Sequence, residues 1–169
     1  MGTAVKDLPP FRGHSPDQER PLGGYALLTA TYGTITAAFA TWIHRSGREV
    51  TDRIDGKDIM LTAVATHKLS RLIAKDRVTS VVRAPFTEFQ DDAGPGEVEE
   101  AARGHGLRRA IGELVICPYC LGMWVATAFT IGLIVVPRPT RWVMSTFAAL
   151  TGSDALQIAY AKAETLLES

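Results

Sequence analysis

Two stretches of this chain contain no charged side chain. No Asp, Glu, Lys or Arg occurs from Pro21 to His44 or from Leu114 to Pro137, and each stretch is 24 residues long. About 20 apolar residues in a helix, at ~1.5 Å per residue, cross the ~30 Å hydrocarbon core of a bilayer. A chain of 169 residues has little other structure with which to cover two such helices in water. The two stretches therefore predict a small integral membrane protein.

The charges in the rest of the chain balance. Lys plus Arg number 18 and Asp plus Glu number 18, so the formal net charge is zero. Nucleic-acid-binding proteins usually show a basic excess or a basic stripe. We therefore predict no nucleic-acid partner. The predicted partners are the lipid bilayer and, beyond it, another membrane protein or a second copy of the chain.

Composition predicts four helices, at about 22–43, 58–76, 114–136 and 141–167. The first and third are the uncharged stretches. The second carries Lys68 and Arg71 near its middle, and a basic residue at the centre of a spanning helix costs roughly 2.5–3.5 kcal/mol. We therefore predict the all-α class: a small helical integral membrane protein with four helices, of which three or four span the bilayer.

Polar segments lie before and between the predicted helices. Residues 1–20 are polar and interrupted by prolines, which predicts a disordered N-terminal tail. Residues 21–168 are predicted to form one helical membrane domain. Within it, a flexible polar loop is expected at about 86–110, because residues 91–100 are rich in Gly, Pro and carboxylates.

The basic residues predict an orientation if all four helices span. Both termini then share a side with the 76–112 segment, and that side holds nine Lys and Arg residues against six on the other. Cytoplasmic loops carry the excess of Lys and Arg. The predicted location is the cell membrane, multi-pass, with both termini cytoplasmic.

The two cysteines, Cys117 and Cys120, have the spacing C-x-x-C. At a helix start the first thiolate is stabilised by the helix dipole and the second cysteine can resolve a mixed disulfide, which indicates thiol-redox chemistry. Alternatively, the pair supplies two zinc ligands with His105 as the candidate third, although a structural zinc needs four. A third interpretation is that both side chains pack at a membrane interface. Zinc is the one candidate cofactor.

The second predicted helix has a basic face. His67 and Arg71 lie four residues apart and Lys68 lies beside them. Three interpretations stay open: an amphipathic helix lying on anionic lipid, a pocket for a lipid head group or an anionic substrate, or a buried charge cluster whose charges are paired. In the last, Asp154 is predicted to pair with Arg71 or Lys68. The alternative for Asp154 is that it caps a shorter second helix after Gly152 and Ser153.

The strings that surround these features resemble one bacterial family, the domain of unknown function numbered 1360. The resemblance covers roughly residues 57–137. It rests on Gly112-Glu113-Leu114, on Cys117-Pro118-Tyr119-Cys120-Leu121-Gly122-Met123-Trp124-Val125, on Ala65-Thr66-His67-Lys68-Leu69-Ser70-Arg71-Leu72-Ile73, on Asp76-Arg77-Val78-Thr79 and on Arg83-Ala84-Pro85-Phe86. Members of that family are small membrane proteins of actinobacteria and spore-forming bacilli, and one is described as a sporulation protein. The resemblance therefore implies a membrane location and a link to sporulation.

The motifs of the common enzyme classes are absent from the sequence. There is no nucleophile elbow, phosphate-binding loop or zinc-protease helix, so no catalytic residue is predicted. The predicted function is a non-enzymatic membrane component that acts through protein or lipid contacts, with the sporulation link that the resemblance implies. The alternative is a membrane thiol-redox or metal-binding protein that uses Cys117 and Cys120.

Overall fold

A computed structural model describes His14, residues 20–47 and residues 54–168. The predicted tail at 1–20 lies outside these residues except for His14 and Arg20. Six helices and two strands follow one another along the described chain: α1 (Leu22–Ser46), α2 (Gly56–Lys75), α3 (Ser80–Arg83), β1 (Thr87–Gly94), β2 (Glu97–Ala102), α4 (Gly106–Val115), α5 (Pro118–Val135) and α6 (Pro137–Glu168).

The predicted fold class is wrong in two respects. The chain is not purely α-helical, because β1 and β2 form a two-stranded antiparallel sheet. It is also not a protein with three or four spanning helices. Among the described residues only α1 and α5 are long and apolar enough to cross a membrane, with mean hydropathies of 1.2 and 1.7, judged by length and composition alone. α2 and α6 are not among them, and they carry five and six charged side chains. The cytoplasmic placement of both termini rested on four crossings and loses its basis with them.

The segment predicted as a flexible loop at 86–110 forms the hairpin and the start of α4. Thr87 pairs with Ala102 and Gly94 with Glu97, with two irregularities of register between these pairs. The turn between the paired residues Gly94 and Glu97 is Pro95-Gly96, and Gly94 and Gly96 have positive φ, of 146° and 77°. Glycine adopts such angles without a steric cost, so the residues that suggested a loop are those that close the hairpin.

The described chain divides into two compact units. The first unit contains α1 and the segment Ile73–Cys120. In it α1 lies close against α4, because a Cβ placed on Gly24 would come within 2.5 Å of the Cβ of Ala110. The Tyr25 hydroxyl donates to the Glu113 carboxylate at the same contact. α1 ends at Gly47, whose φ of 63° makes it a left-handed C-cap.

The second unit contains α2 up to Leu72 and the segment from Leu121 onward. Its core is small and apolar: Ala65 from α2, Val125 and Phe129 from α5, and Met144 from α6. The last turn of α5 packs closely on the first turn of α6, since a Cβ on Gly132 would lie 2.7 Å from the Thr140 hydroxyl oxygen. α6 then runs without interruption to Glu168, so the alternative for Asp154, that it caps a shorter second helix after Gly152 and Ser153, is wrong.

Candidate functional site

A buried ion pair organises the first unit. Arg83, the last residue of α3, is fully buried, and the side chain of Glu100 on β2 is 5% exposed. The guanidinium donates through Nε to Oε2 of Glu100 and through Nη2 to Oε1, both at 3.0 Å. Such a bidentate pair fixes orientation as well as distance. It holds the short helix α3 against the inner face of the hairpin.

The remaining donors of Arg83 are also used. Nη1 donates to the carbonyl of Ile73 at 2.5 Å and to the hydroxyl of Thr79 at 2.7 Å. Nη2 donates to the carbonyl of Asp76 at 3.0 Å. Carbonyls at the C-terminal end of α2 have no partner within the helix, so Arg83 supplies the hydrogen bonds that this end needs. No N–H of Arg83 is left over for a ligand, and the network is structural.

The carboxylate of Glu100 accepts from two hydroxyls as well. Ser80 donates to Oε1 at 2.6 Å and Thr87 donates to Oε2 at 2.7 Å. Burial disfavours the charged form, but the hydrogen bonds from Arg83, Ser80 and Thr87 and the charge of Arg83 outweigh it. They lower the pKa of Glu100 from 4.5 to about 2. Glu100 is therefore ionised at every physiological pH.

The lowered pKa of Glu100 predicts acid sensitivity. Its carboxylate stabilises the fold fully above the unfolded pKa of 4.5, and this contribution is lost as the pH falls towards about 2. The shift corresponds to roughly 3 kcal/mol. We expect the midpoint of thermal unfolding, followed by circular dichroism of the full chain in a non-ionic detergent, to fall as the pH is lowered from 4.5 towards about 2. The fall should be smaller in Glu100→Gln and unchanged in the exposed control Glu88→Gln. Equal slopes in all three proteins would contradict the assignment.

The cysteine pair lies at the start of α5. Pro118 is the first residue of that helix, and Cys117 immediately precedes it. The backbone N–H of Cys120 donates to the Sγ of Cys117 at 3.2 Å, and both cysteines are free thiols. His105 instead occupies the N-cap position of α4, where its side chain makes no capping hydrogen bond. Within the described part of the chain, no three His, Cys, Asp or Glu side chains are grouped so as to hold a metal. The structure therefore does not bring His105 into a metal site with the two thiols.

Of the three basic residues predicted to form a face of α2, Lys68 forms an ion pair with α6 and the other two are exposed. Lys68 donates through Nζ to Oδ2 of Asp154 at 2.6 Å, with the two side chains 19% and 48% exposed. This pair joins α2 to α6 and uses the second of the two partners predicted for Asp154. His67 and Arg71 are exposed residues. The ion pair is thus at the edge of the second unit and not in a deeply buried cluster.

A second ion pair between the same helices was missed by the sequence reasoning. Arg141 near the start of α6 donates through Nε and Nη2 to both carboxylate oxygens of Asp58, at 2.8 and 2.7 Å. The Asp58 pKa is lowered, mainly by the hydrogen bond from Arg141. The two residues are 83 positions apart, and no local pattern connects them. Only their opposite charges at the starts of two predicted helices gave a signal.

The fold and these sites describe a small, mostly helical protein with two apolar helices, a hairpin fixed by a buried ion pair and a thiol pair at a helix start. The model of the family described as protein of unknown function (DUF1360) matches residues 61–160. The chain belongs to this family. The matched region includes the Arg83 network and the cysteine pair, whereas α1 lies outside it.

Two curated relatives come from Bacillus subtilis (strain 168). Sporulation protein YjcA is 31% identical over 94 residues, which cover 54% of this chain and 80% of the relative. UPF0713 protein YngL is 26% identical over 88 residues, which cover 52% of this chain and 65% of the relative. No solved structure matches the chain. The comparisons therefore show the family and a relative named for sporulation.

Proposed function

We propose that this protein is a non-enzymatic membrane component that acts through contacts with lipid or with other membrane proteins, in a process linked to sporulation. The observation that carries the membrane part is the uncovered apolar surface of α1 and α5. In the most apolar 18-residue window of each helix, none of the residues is buried in α1 and 17% are buried in α5. An apolar helix at the core of a water-soluble domain would be mostly covered.

The exposed residues of α1 are large as well as apolar. Leu27, Ile35 and Trp42 are 51%, 48% and 44% exposed. These residues are distributed over most of the length of the helix, and contiguous apolar surface of this kind marks a membrane or protein contact. With 25 residues at ~1.5 Å each, α1 is longer than the ~30 Å hydrocarbon core. The length and the exposed apolar residues of α1 therefore support contact with the hydrocarbon core of a bilayer.

Membrane fractionation of the full chain tests the membrane part. The protein, produced in Bacillus subtilis, should stay in the membrane pellet after a wash in alkaline carbonate and should be released by a non-ionic detergent. A known integral membrane protein and a known cytoplasmic protein in the same cells serve as controls. Release of the chain by carbonate together with the cytoplasmic control would refute the proposal.

The sporulation part is supported by the relative named sporulation protein YjcA. Its test is complementation in a strain without that relative. The chain should restore spore yield to at least half of the level that reintroduced YjcA gives. Rescue by YjcA and not by the chain would refute the link, whatever the fractionation shows.

We infer a second candidate function, thiol–disulfide exchange, from the contact between Cys120 N–H and Cys117 Sγ. A backbone N–H donor and a helix N-terminus lie at the Cys117 sulfur, and nucleophilic cysteines are found in such surroundings. That thiolate would attack one sulfur of a low-molecular-weight disulfide, forming a mixed disulfide and releasing one thiolate. The Cys120 sulfur, after losing its proton to solvent, would then attack Cys117 and release the second. The pair is oxidised to a disulfide, and the small disulfide is reduced to two thiols.

Trapping of the mixed disulfide tests this exchange. With oxidised glutathione, Cys120→Ser should accumulate a glutathione adduct on Cys117, measured by mass spectrometry of the intact chain. Cys117→Ser should form its adduct at least tenfold more slowly. Equal rates would refute the exchange. A bound metal that co-purifies with the wild type and is lost from Cys117→Ser would favour the metal-binding alternative instead.

A further inference from the structure

The turn between α5 and α6 holds basic and aromatic side chains close to the end of an apolar helix. Val136 alone separates the two helices, and its carbonyl accepts from both the N–H and the hydroxyl of Thr140. Arg138, Arg141 and Trp142 follow within the first two turns of α6. Arg and Trp at the end of an apolar helix are the residues enriched where hydrocarbon meets the lipid headgroups.

These side chains line a groove of about 270 Å³. Among the described residues its lining consists of Arg138, Arg141, Trp142 and Ser145, which supply hydrogen-bond donors. The carboxylate of Asp58 lies beside the groove, bound to Arg141. The indole of Trp142 is well exposed, at 78% for the residue. A ligand that fills the groove is therefore one that accepts hydrogen bonds and carries negative charge.

One guanidinium in the groove is fixed and one is available. Asp58 holds Arg141 through Nε and Nη2, which leaves Nη1 for another acceptor. Arg138 is exposed and makes no hydrogen bond or ion pair with the described part of the chain. Asp58 offsets the charge of Arg141, and Asp55 acts on Arg141 as well, so the positive charge available to a ligand in the groove is that of Arg138.

We propose that this groove binds the phosphodiester headgroup of an anionic phospholipid. The phosphate oxygens would accept from Arg138, from Nη1 of Arg141, and from the Trp142 indole or the Ser145 hydroxyl. The acyl chains would lie along the apolar surface of α5, which ends next to the groove. This inference rests on the proposed membrane location, since only a bilayer would supply such a ligand at this end of α5.

Titration of the full chain in a neutral detergent tests the groove without requiring a bilayer. The probes are short-chain phosphatidylglycerol, short-chain phosphatidylcholine and inorganic phosphate, and the readout is calorimetric affinity. Phosphatidylglycerol should bind at least fivefold more tightly than either of the other two. The affinity for phosphatidylglycerol should fall about fivefold in Arg138→Gln, the effect of one basic residue at an anionic surface. It should also fall about fivefold in Trp142→Phe, which keeps an aromatic ring and loses the indole N–H.

The matched control is Lys162→Gln, which removes one positive charge from an exposed position on the same helix. Its affinity should stay within twofold of the wild type. An equal loss in Arg138→Gln and Lys162→Gln would overturn the site in favour of general charge attraction. Phosphate binding as tight as phosphatidylglycerol binding would overturn the lipid as ligand. Release of the wild type by carbonate would refute the membrane location, whereas membrane retention without a lipid preference would refute the groove alone.

Discussion

We expect Arg83→Met to reduce the free energy of opening of the hairpin by about 3–5 kcal/mol, the usual cost of leaving one member of a buried ion pair without its partner. Met has a similar length and fills the space, so the loss comes from the uncompensated carboxylate of Glu100. The carbonyls of Ile73 and Asp76, at the C-terminal end of α2, also lose the hydrogen bonds that they accept from Arg83. Amide hydrogen exchange of residues 87–102 in the full chain measures this free energy.

The control for Arg83 is an ion pair of the same hairpin that is exposed. Arg77 and Asp92 lie 2.8 Å apart with side chains 57% and 64% exposed, and pairs of this kind contribute roughly 0–1 kcal/mol. Arg77→Gln should therefore change hairpin exchange little. The double change Arg83→Met with Glu100→Gln should cost less than the sum of the single changes. Equal effects of Arg83→Met and Arg77→Gln would show that the buried pair does not hold the hairpin.

The second large effect is expected from lysines placed on the two apolar helices. Ile35 lies near the middle of α1 and Ala128 near the middle of α5, and both are exposed residues. Lysine at the centre of a spanning helix costs roughly 2.5–3.5 kcal/mol, but on a helix surface that faces water it costs little. We expect Ile35→Lys with Ala128→Lys to remove most of the chain from the carbonate-washed membrane pellet.

The matched control places two lysines on α6, which is not among the apolar helices long enough to span. Ile158 and Ala161 are exposed residues there, and Ile158→Lys with Ala161→Lys should leave the pellet fraction within about 20% of the wild type, because no lysine then enters the centre of a spanning segment. The comparison keeps the number of added charges equal. If both double variants stay in the pellet as the wild type does, α1 and α5 do not lie in the bilayer.

The sequence predicted the two apolar helices well because their signal is local. The uncharged stretches gave helices at 22–43 and 114–136, and the structure has α1 at Leu22–Ser46 and α5 at Pro118–Val135. The absence of charge over 24 residues is read from neighbouring positions alone. The start of α5 at Pro118 follows another local rule, since proline suits the first turn of a helix.

The hairpin was not predictable in the same way. Apolar and polar residues do not alternate along β1 as they do in a half-buried strand. In the structure only one of its eight residues is buried. Its carboxylates looked like those of a solvated loop. They are held by basic residues from elsewhere: Lys75 pairs with Glu99, and Arg83 with Glu100. Such pairings become visible only when the fold brings distant segments together, although Arg83 stood in one of the strings that carried the family resemblance.

In α6, too, local composition did not predict the structure. Gly152, Ser153 and Asp154 have the composition of a helix break followed by a cap, yet the helix continues through them. Asp154 pairs with Lys68 on α2, so the residue that suggested a cap takes part in a contact between helices.

The accessibility of a nitroxide label to oxygen and to a water-soluble nickel complex tests most directly whether α1 and α5 contact lipid. The label is attached to Ala37→Cys on α1 or Ala128→Cys on α5, in a chain with Cys117→Ser and Cys120→Ser reconstituted into vesicles. Val81→Cys, at a residue that is 76% exposed and lies outside both helices, gives the reference. At positions 37 and 128 the label should collide more with oxygen, which dissolves in hydrocarbon, than with a water-soluble nickel complex. Collision ratios at both positions equal to that at position 81 would contradict the membrane location.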